Sequence, residues 1–255
     1  MNILQAVILG IVQGLTEFIP VSSSAHLVLV PHFLGWSSPP VIFGIVLHIG
    51  TLSAILIFFW KDILQLAISN KRYAFLIILA CIPTVIMAIA FKRFFESLFE
   101  NPLGVSILLL VTGFLLWIAP RKPHNAQLKT VSYTDALWIG FAQGCAIAPG
   151  ISRSGTTIVT GLFRGLDGEE AVRFSFLLSI PAILGALIFK IKDFQLQSSL
   201  INQATTYWVG GFAAAISGYF AIKVVFKSIK TGKFKYFAYY CCALGIVGIL
   251  NVCLR

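Results

Sequence analysis

Ten apolar runs divide this chain of 255 residues, and their lengths fall into two classes. Six are long: 41–60, 73–91, 103–119, 174–189, 206–222 and 236–254. Crossing about 30 Å of hydrocarbon takes about 20 helical residues, so these six read as transmembrane helices. The other four, 3–16, 24–35, 136–148 and 155–163, are too short. Fourteen helical residues reach only about 21 Å. Charge supports a bilayer as the solvent. Nineteen Lys and Arg with nine Asp and Glu make up 11% of the chain, against roughly 25% in a soluble domain, so no polar shell can be built.

The short runs come in pairs, each around a polar elbow. The first elbow is Glu17-Phe-Ile-Pro-Val-Ser-Ser-Ser24 and the second is Pro149-Gly-Ile-Ser-Arg-Ser154. Two half-helices meeting at an irregular turn make a re-entrant hairpin, which a membrane tolerates only where the turn is buried in protein or lines a cavity. The competing reading is a single Pro-kinked span. The pairs also repeat: Gly10-Ile-Val-Gln-Gly14 matches Gly140-Phe-Ala-Gln-Gly144, and Pro20 with Ser23 matches Pro149 with Ser152 after a one-residue gap. Phe43 to Gly50 resembles Phe174 to Pro181. The expected architecture is therefore an all-α integral membrane protein with six transmembrane helices and two re-entrant helical hairpins. It is a single membrane domain, 1–255, whose halves 1–120 and 131–255 form an inverted-topology repeat.

The distribution of charge orients this topology. The loops 61–72, 120–133, 164–173 and 223–235 share one face and carry 13 of the 19 bases. Cytoplasmic loops collect Lys and Arg, so this face is expected inside and both termini outside. The bases lie between apolar runs and not on one solvated face, which argues against nucleic acid as a partner. Cys81, Cys145, Cys241, Cys242 and Cys253 all stand in apolar runs without metal-ligand spacing and read as small buried hydrophobes. No basic region or clear cleavage signal marks the N-terminus, which is expected to belong to the mature protein.

Eight of the nine acids, Asp135 among them, fall in loops or at the ends of runs, and only Glu17 stands at an elbow. Arg153 is the only base so placed. Ionisable groups at that depth are costly and mark function. Glu17 and Arg153 are expected to meet, with a structural ion pair as the bland alternative. Around Glu17 come Gln13, one turn earlier on the same helix face, then Ser22, Ser23, Ser24 and His26. Around Arg153 come Ser152, Ser154, Thr156 and Thr157. Helix N-termini attract anions, and an arginine fork suits phosphate. The serines and threonines alone are explained better as N-caps, and it is their company with Arg153, Glu17 and His26 that favours an anion site. Glu17 and Gln13 can offer oxygens to Mg²⁺ or Ca²⁺. His26 suits a general base or nucleophile, and Ser23 or Ser24 can attack in its place, activated by His26. His32 and His48 read as core or interfacial residues, and His124 as a loop residue.

These motifs resemble those of bacterial undecaprenyl-diphosphate phosphatases of the bacitracin-resistance type. Gln13-Gly-Leu-Thr-Glu17 is similar to the family's (Glu/Gln)-x-x-x-Glu, Pro20-Val-Ser-Ser-Ser-Ala-His26 to its serine-rich turn and histidine, and Pro149 to Thr157 to its Pro-Gly-x-Ser-Arg-Ser-x-x-Thr. The resemblance implies a multi-pass enzyme of the plasma (inner) membrane that depends on a divalent cation and removes the terminal phosphate of undecaprenyl diphosphate. The product carries peptidoglycan and other envelope polymers, and high activity gives bacitracin resistance. It further implies Glu17 as the essential acid, His26 and Ser23 as catalytic residues, and Arg153 as the diphosphate ligand. Two positions depart from the family: Gln13 where many members have glutamate, and Ala25 in place of a common glycine. Membrane lipids are the expected surroundings, and self-association into a homo-oligomer stays open. The alternative is a carrier, since inverted repeats with broken helices are also transporter architecture, moving a lipid phosphate or small anion with Glu17 as the coupling group.

Overall fold

The computed structural model describes residues 1–99, 101–120, 130–192 and 199–254, leaving aside the side chains of 189–192 and 199–202. Glu100, His124, Asp193, Arg255 and the bases Arg121, Lys122 and Lys129 lie outside the described residues, as do the side chains of Lys190 and Lys192. Twelve helices and no strand appear among the described residues. They are α1 Ile3–Phe18, α2 Ser23–Leu34, α3 Val41–Phe58, α4 Trp60–Ile68, α5 Lys71–Ala90, α6 Lys92–Phe99, α7 Pro102–Trp117, α8 Tyr133–Cys145, α9 Arg153–Phe163, α10 Gly168–Lys192, α11 Ser199–Lys230 and α12 Tyr236–Cys253.

Among the described residues five helices are long and apolar enough to cross a membrane by themselves: α3, α5, and the segments Gly168–Ile188 of α10, Gln203–Lys230 of α11 and Tyr236–Cys253 of α12. The expected sixth span, α7, has 16 residues and reaches that length only together with α6, from which it bends by 105°. The difference lies at Asn101, whose side chain caps Gly104, and Pro102, which can start a helix but cannot continue one. The membrane character shows on α5. Phe75, Ile78, Ile82, Val85, Ile86 and Ile89 form an exposed stripe at helical spacing, while Leu76, Ile77 and Ala80 are buried. Water would not tolerate so large a bare patch; lipid does. Trp60, Trp117, Trp138 and Trp208 are more than half exposed. Trp60 opens α4 and Trp117 closes α7, where interfacial aromatics gather, whereas Trp138 and Trp208 lie within α8 and α11.

The two short pairs keep a common register. Asn2 and Ser132 each close a capping box at the start of α1 and α8, with Gln5 and Asp135 as the reciprocal partners. Ser22 and Ser152 then cap α2 and α9, accepting from the amides of Ala25 and Gly155. The cap register thus pairs Ser22, and not Ser23, with Ser152. Packing follows the same rule: α1 lies on α11, and its counterpart α8 lies on α5. Both contacts need backbone-close approach. A Cβ on Gly10 or Gly14 would strike the carbonyl of Gly210 or Ala214, and one on Gly140 would strike the carbonyl of Ala80.

At one end of the bundle, ion pairs tie the charged segments together. Asp62 pairs with Arg173, Lys230 with Glu169 at 2.9 Å, and Arg164 with Asp135 at 2.8 Å. The Arg72 guanidinium reaches the Val131 carbonyl at 3.0 Å. The ends of segments 61–72, 130–133, 164–173 and 223–235 therefore gather on one face. Two expectations change here. Asp135, placed by its position at a water-facing edge, is fully buried because the cap of α8 and Arg164 hold both its oxygens. Of the five cysteines expected to be buried, Cys241 is, Cys81, Cys145 and Cys242 are half-buried, and Cys253 is exposed at the end of α12.

Candidate functional site

Glu17 lies on the last turn of α1 and is 8% exposed. Its position differs slightly from the elbow expected, since α1 continues through Phe18 and only residues 19–22 break the helix. Keeping Glu17 on the last helical turn fixes its direction, and Gln13 one turn back lies beneath it. The Gln13 amide nitrogen donates to Glu17 Oε2 at 2.9 Å, the Ser23 hydroxyl donates to the same oxygen at 2.7 Å, and Arg153 Nη2 donates to Oε1 at 2.6 Å. Three donors from α1, α2 and α9 thus converge on one carboxylate. Arg153, Glu17 and the two breaks meet as expected; Pro20 of the first break lies against Gly155 at the start of α9.

Each break is shaped for its serines. Ser22 has φ 66°, a left-handed conformation that a non-glycine residue adopts at a cost; such strain collects at functional sites. Gly150 takes φ 103° in the second break, where its glycine is required because a Cβ would meet the Leu108 side chain of α7. Ser22 and Ser24 hydroxyls lie 3.2 Å apart, and Ser152 and Ser154 hydroxyls 3.3 Å apart. Ser22 and Ser152 are committed to capping, whereas Ser23 is turned to Glu17.

Other residues separate by role. Thr157 is completely buried and its hydroxyl is 2.6 Å from that of Ser175, which pins α9 to α10. Its neighbour Thr156 has a buried hydroxyl without a hydrogen-bond partner, and so does the Nη1 of Arg153. His26 bonds the Ser22 carbonyl through Nδ1 and the Tyr240 hydroxyl through Nε2, both at 2.8 Å, while Ser23 bonds Glu17. The hydroxyl–imidazole contact anticipated between Ser23 or Ser24 and His26 is therefore replaced by two separate hydrogen-bond systems.

Sequence reasoning missed two members of the site. His48 of α3, taken for a core or interfacial residue, places Nε2 4.0 Å from Glu17 Oε2 while its Nδ1 bonds the Gly44 carbonyl at 2.7 Å. Its only signal was a histidine inside an apolar run. Tyr240 stands near the start of α12 with Tyr236 and Tyr239, and nothing in the sequence sets it apart from them.

The donor set can also be tested for a divalent cation. Among the described residues no group of three His, Cys, Asp or Glu side chains is arranged to hold a metal. Glu17 supplies one carboxylate, and Gln13 Oε1 is a buried oxygen without a partner. These two oxygens suit an ion completed by water and substrate phosphate, as Mg²⁺ commonly is, better than one caged by protein.

Together these features define a polytopic membrane protein whose polar site is assembled from the ends of interrupted helices. Residues 6–247 match the family described as Bacitracin resistance protein BacA. The chain is 46% identical over 252 residues to the undecaprenyl-diphosphatase of Carboxydothermus hydrogenoformans, covering 96% of each. It is 44% identical over 256 residues to that of Halothermothrix orenii and 44% over 275 residues to that of Methanosphaera stadtmanae, with 98% of each chain covered. The chain belongs to the bacitracin resistance protein BacA family.

Proposed function

We propose that this protein hydrolyses the terminal phosphate of undecaprenyl diphosphate, giving undecaprenyl phosphate and inorganic phosphate. The relatives' names point to that substrate, and one observation in the site carries the reading. Arg153 spends Nη2 on Glu17 and keeps Nη1 buried without a partner, beside Thr156 with its own unpartnered hydroxyl. Buried donors are rarely left unmet; a phosphate oxygen would satisfy both. The first amides of α9, which have no intrahelical acceptors, and its positive dipole end add to the attraction.

Ser23 is the nucleophile in this reading, with Glu17 as its general base. The hydroxyl already donates to the carboxylate at 2.7 Å, within the range for proton transfer. Its oxygen forms a bond to the terminal phosphorus, its proton passes to Glu17, and the bridging P–O bond breaks with its electron pair leaving on undecaprenyl phosphate. Water then cleaves the serine phosphate, so phosphate departs and Ser23 recovers its proton. His26 supplies the second acid–base group through Nε2, since Nδ1 is committed to the Ser22 carbonyl. Nε2 accepts from the Tyr240 hydroxyl in the resting site and must be released from it to take a proton. A divalent cation held by Glu17 and Gln13 would neutralise charge on the diphosphate, the term that dominates phosphoryl transfer.

The protein lies in this reading in the plasma (inner) membrane as an inverted repeat of halves 1–120 and 131–255. The shared cap register and the reciprocal packing of α1 on α11 and α8 on α5 support the repeat. The clustering of the basic segments on one face supports a cytoplasmic location for that face and external termini. Phosphate release from undecaprenyl diphosphate by purified protein in detergent with Mg²⁺ or Ca²⁺ tests the function. Release is expected from wild type and lost in Arg153→Ala. Uptake of labelled anion into liposomes without hydrolysis would instead establish a carrier.

A further inference from the structure

His26 sits four residues after the cap of α2, yet its outer nitrogen is completed from the far end of the chain. Nδ1 is 2.8 Å from the Ser22 carbonyl, which can only accept, so Nδ1 carries a proton. In the neutral ring Nε2 then holds a lone pair, and the Tyr240 phenol at 2.8 Å is the donor. The two rings differ in tilt by only 2°, with centroids 5.7 Å apart. His26 is 4% exposed, whereas Tyr240 is 48% exposed. The pairing is therefore an imidazole inside the protein held by a phenol at its surface.

The contact belongs to a wider arrangement. Helix α7 braces the second break, where the Thr112 hydroxyl donates to the Gly150 carbonyl at 2.8 Å and accepts from the Ser152 amide at 3.0 Å. Helix α12 braces the first break: the Cys241 thiol lies 3.7 Å from the Pro20 carbonyl, and Tyr240 next to it holds His26. The last helix of each half thus supports the break of the other half. In the second break the support ends on backbone; in the first it extends to an imidazole.

We infer that Tyr240 is a positioning residue for His26 in the phosphatase reaction, a role that rests on the function proposed above. Its hydroxyl selects the tautomer with Nε2 as acceptor and holds the ring in one orientation in the resting site, giving up that single lone pair when His26 takes a proton in the reaction. Without the hydroxyl, Nε2 is a buried acceptor with no donor, and the ring is free to turn about its bond to Cβ and lose its aim.

Tyr240→Phe removes only the hydroxyl, and Tyr239→Phe is the control, since Tyr239 is exposed on the same helix and packs with Tyr236. The chain has four histidines, so ¹⁵N-histidine NMR in detergent micelles can resolve His26, assigned by its disappearance in His26→Ala. Tyr240→Phe is expected to lower kcat roughly ten- to hundred-fold, the effect of leaving one buried group unmet. KM stays within about twofold, and the His26 nitrogen signals move away from those of one fixed tautomer. Tyr239→Phe changes neither. An active wild type with unchanged kcat in Tyr240→Phe overturns the role, as does a loss with His26 signals unmoved or a loss shared by Tyr239→Phe. A wild type that releases no phosphate overturns the phosphatase reading itself.

Discussion

Ser23 and Arg153 occupy the same position in the two short helix pairs, one residue after the serine cap, and both bond the carboxylate of Glu17, at 2.7 and 2.6 Å. The repeat supplies two equivalent sites for a side chain at the start of a half-helix, and the chain fills one with a hydroxyl and the other with a guanidinium. It also removes the second acid. In the register that pairs Gln13 with Gln143, Ile147 stands opposite Glu17. A symmetric scaffold thereby holds one asymmetric site.

That geometry makes Arg153 and Glu17 dependent on each other. Removing one member of a buried pair leaves an uncompensated charge and costs about 3–5 kcal/mol. Arg153→Ala is accordingly expected to unfold at a much lower temperature than wild type in detergent. Adding Glu17→Gln to that variant removes the orphaned charge and should recover most of the loss, although neither protein turns over substrate. A double variant as unstable as Arg153→Ala would show that the pair contributes no such coupling.

The adjacent serines separate catalysis from turn structure. Ser23 bonds Glu17, whereas among the described residues the Ser24 hydroxyl meets Ser22. Ser23→Ala removes the nucleophile and should lower kcat by about 10⁴-fold or more, toward the roughly 10⁶-fold loss that follows removal of a catalytic serine, while Ser24→Ala stays within about threefold. Rates of phosphate release from the two proteins decide the matter, and equal losses would contradict the assignment of Ser23.

Much of this site was legible in the sequence because burial makes charge rare. One acid and one base at polar elbows between apolar runs had few other places to go, and Glu17 does meet Arg153. The details that failed depend on side-chain direction, which periodicity does not carry. Asp135 reads as a surface acid because it stands at the end of a run; among the described residues its burial rests on the cap of α8 and on Arg164, 29 residues later. His48 and Tyr240 lie in apolar surroundings that explain a histidine or a tyrosine without any site. The pairing of Ser23 with Ser152 failed for a smaller reason, since matching prolines shifts the register by one residue from that of the caps.

Two neighbouring threonines show how a single step around a helix changes a role. Thr157 is tied to Ser175, and Thr156 has no partner. Thr157→Val strands the Ser175 hydroxyl and should cost about 1 kcal/mol, a fall of roughly 2–4 °C in Tm for a chain of this size, with KM unchanged. Thr156→Val should leave Tm unchanged and raise KM about tenfold, as expected for a lost bond of about 1.4 kcal/mol to phosphate. Substrate titrations and thermal melts on both variants read the two effects separately, and the opposite pattern would place Thr157 on the substrate.

The same logic reaches the divalent cation through Gln13. Its amide nitrogen now donates to Glu17, and its Oε1 is buried without a partner. Gln13→Glu exchanges that donor for a second carboxylate, so two negative charges face each other, and among the described residues Arg153 is the Lys or Arg that bonds Glu17. With EDTA present, repulsion between them should lower Tm relative to wild type. Added Mg²⁺ or Ca²⁺ binds between the carboxylates of the folded state only, and such binding stabilises by about 2.7 kcal/mol at a hundredfold excess over Kd. Tm should therefore climb with cation concentration much more steeply in Gln13→Glu than in wild type, and half-maximal activity should need less cation. Melting curves that ignore the cation in both proteins would remove Gln13 and Glu17 from its coordination and leave the ion, where activity requires it, to the diphosphate.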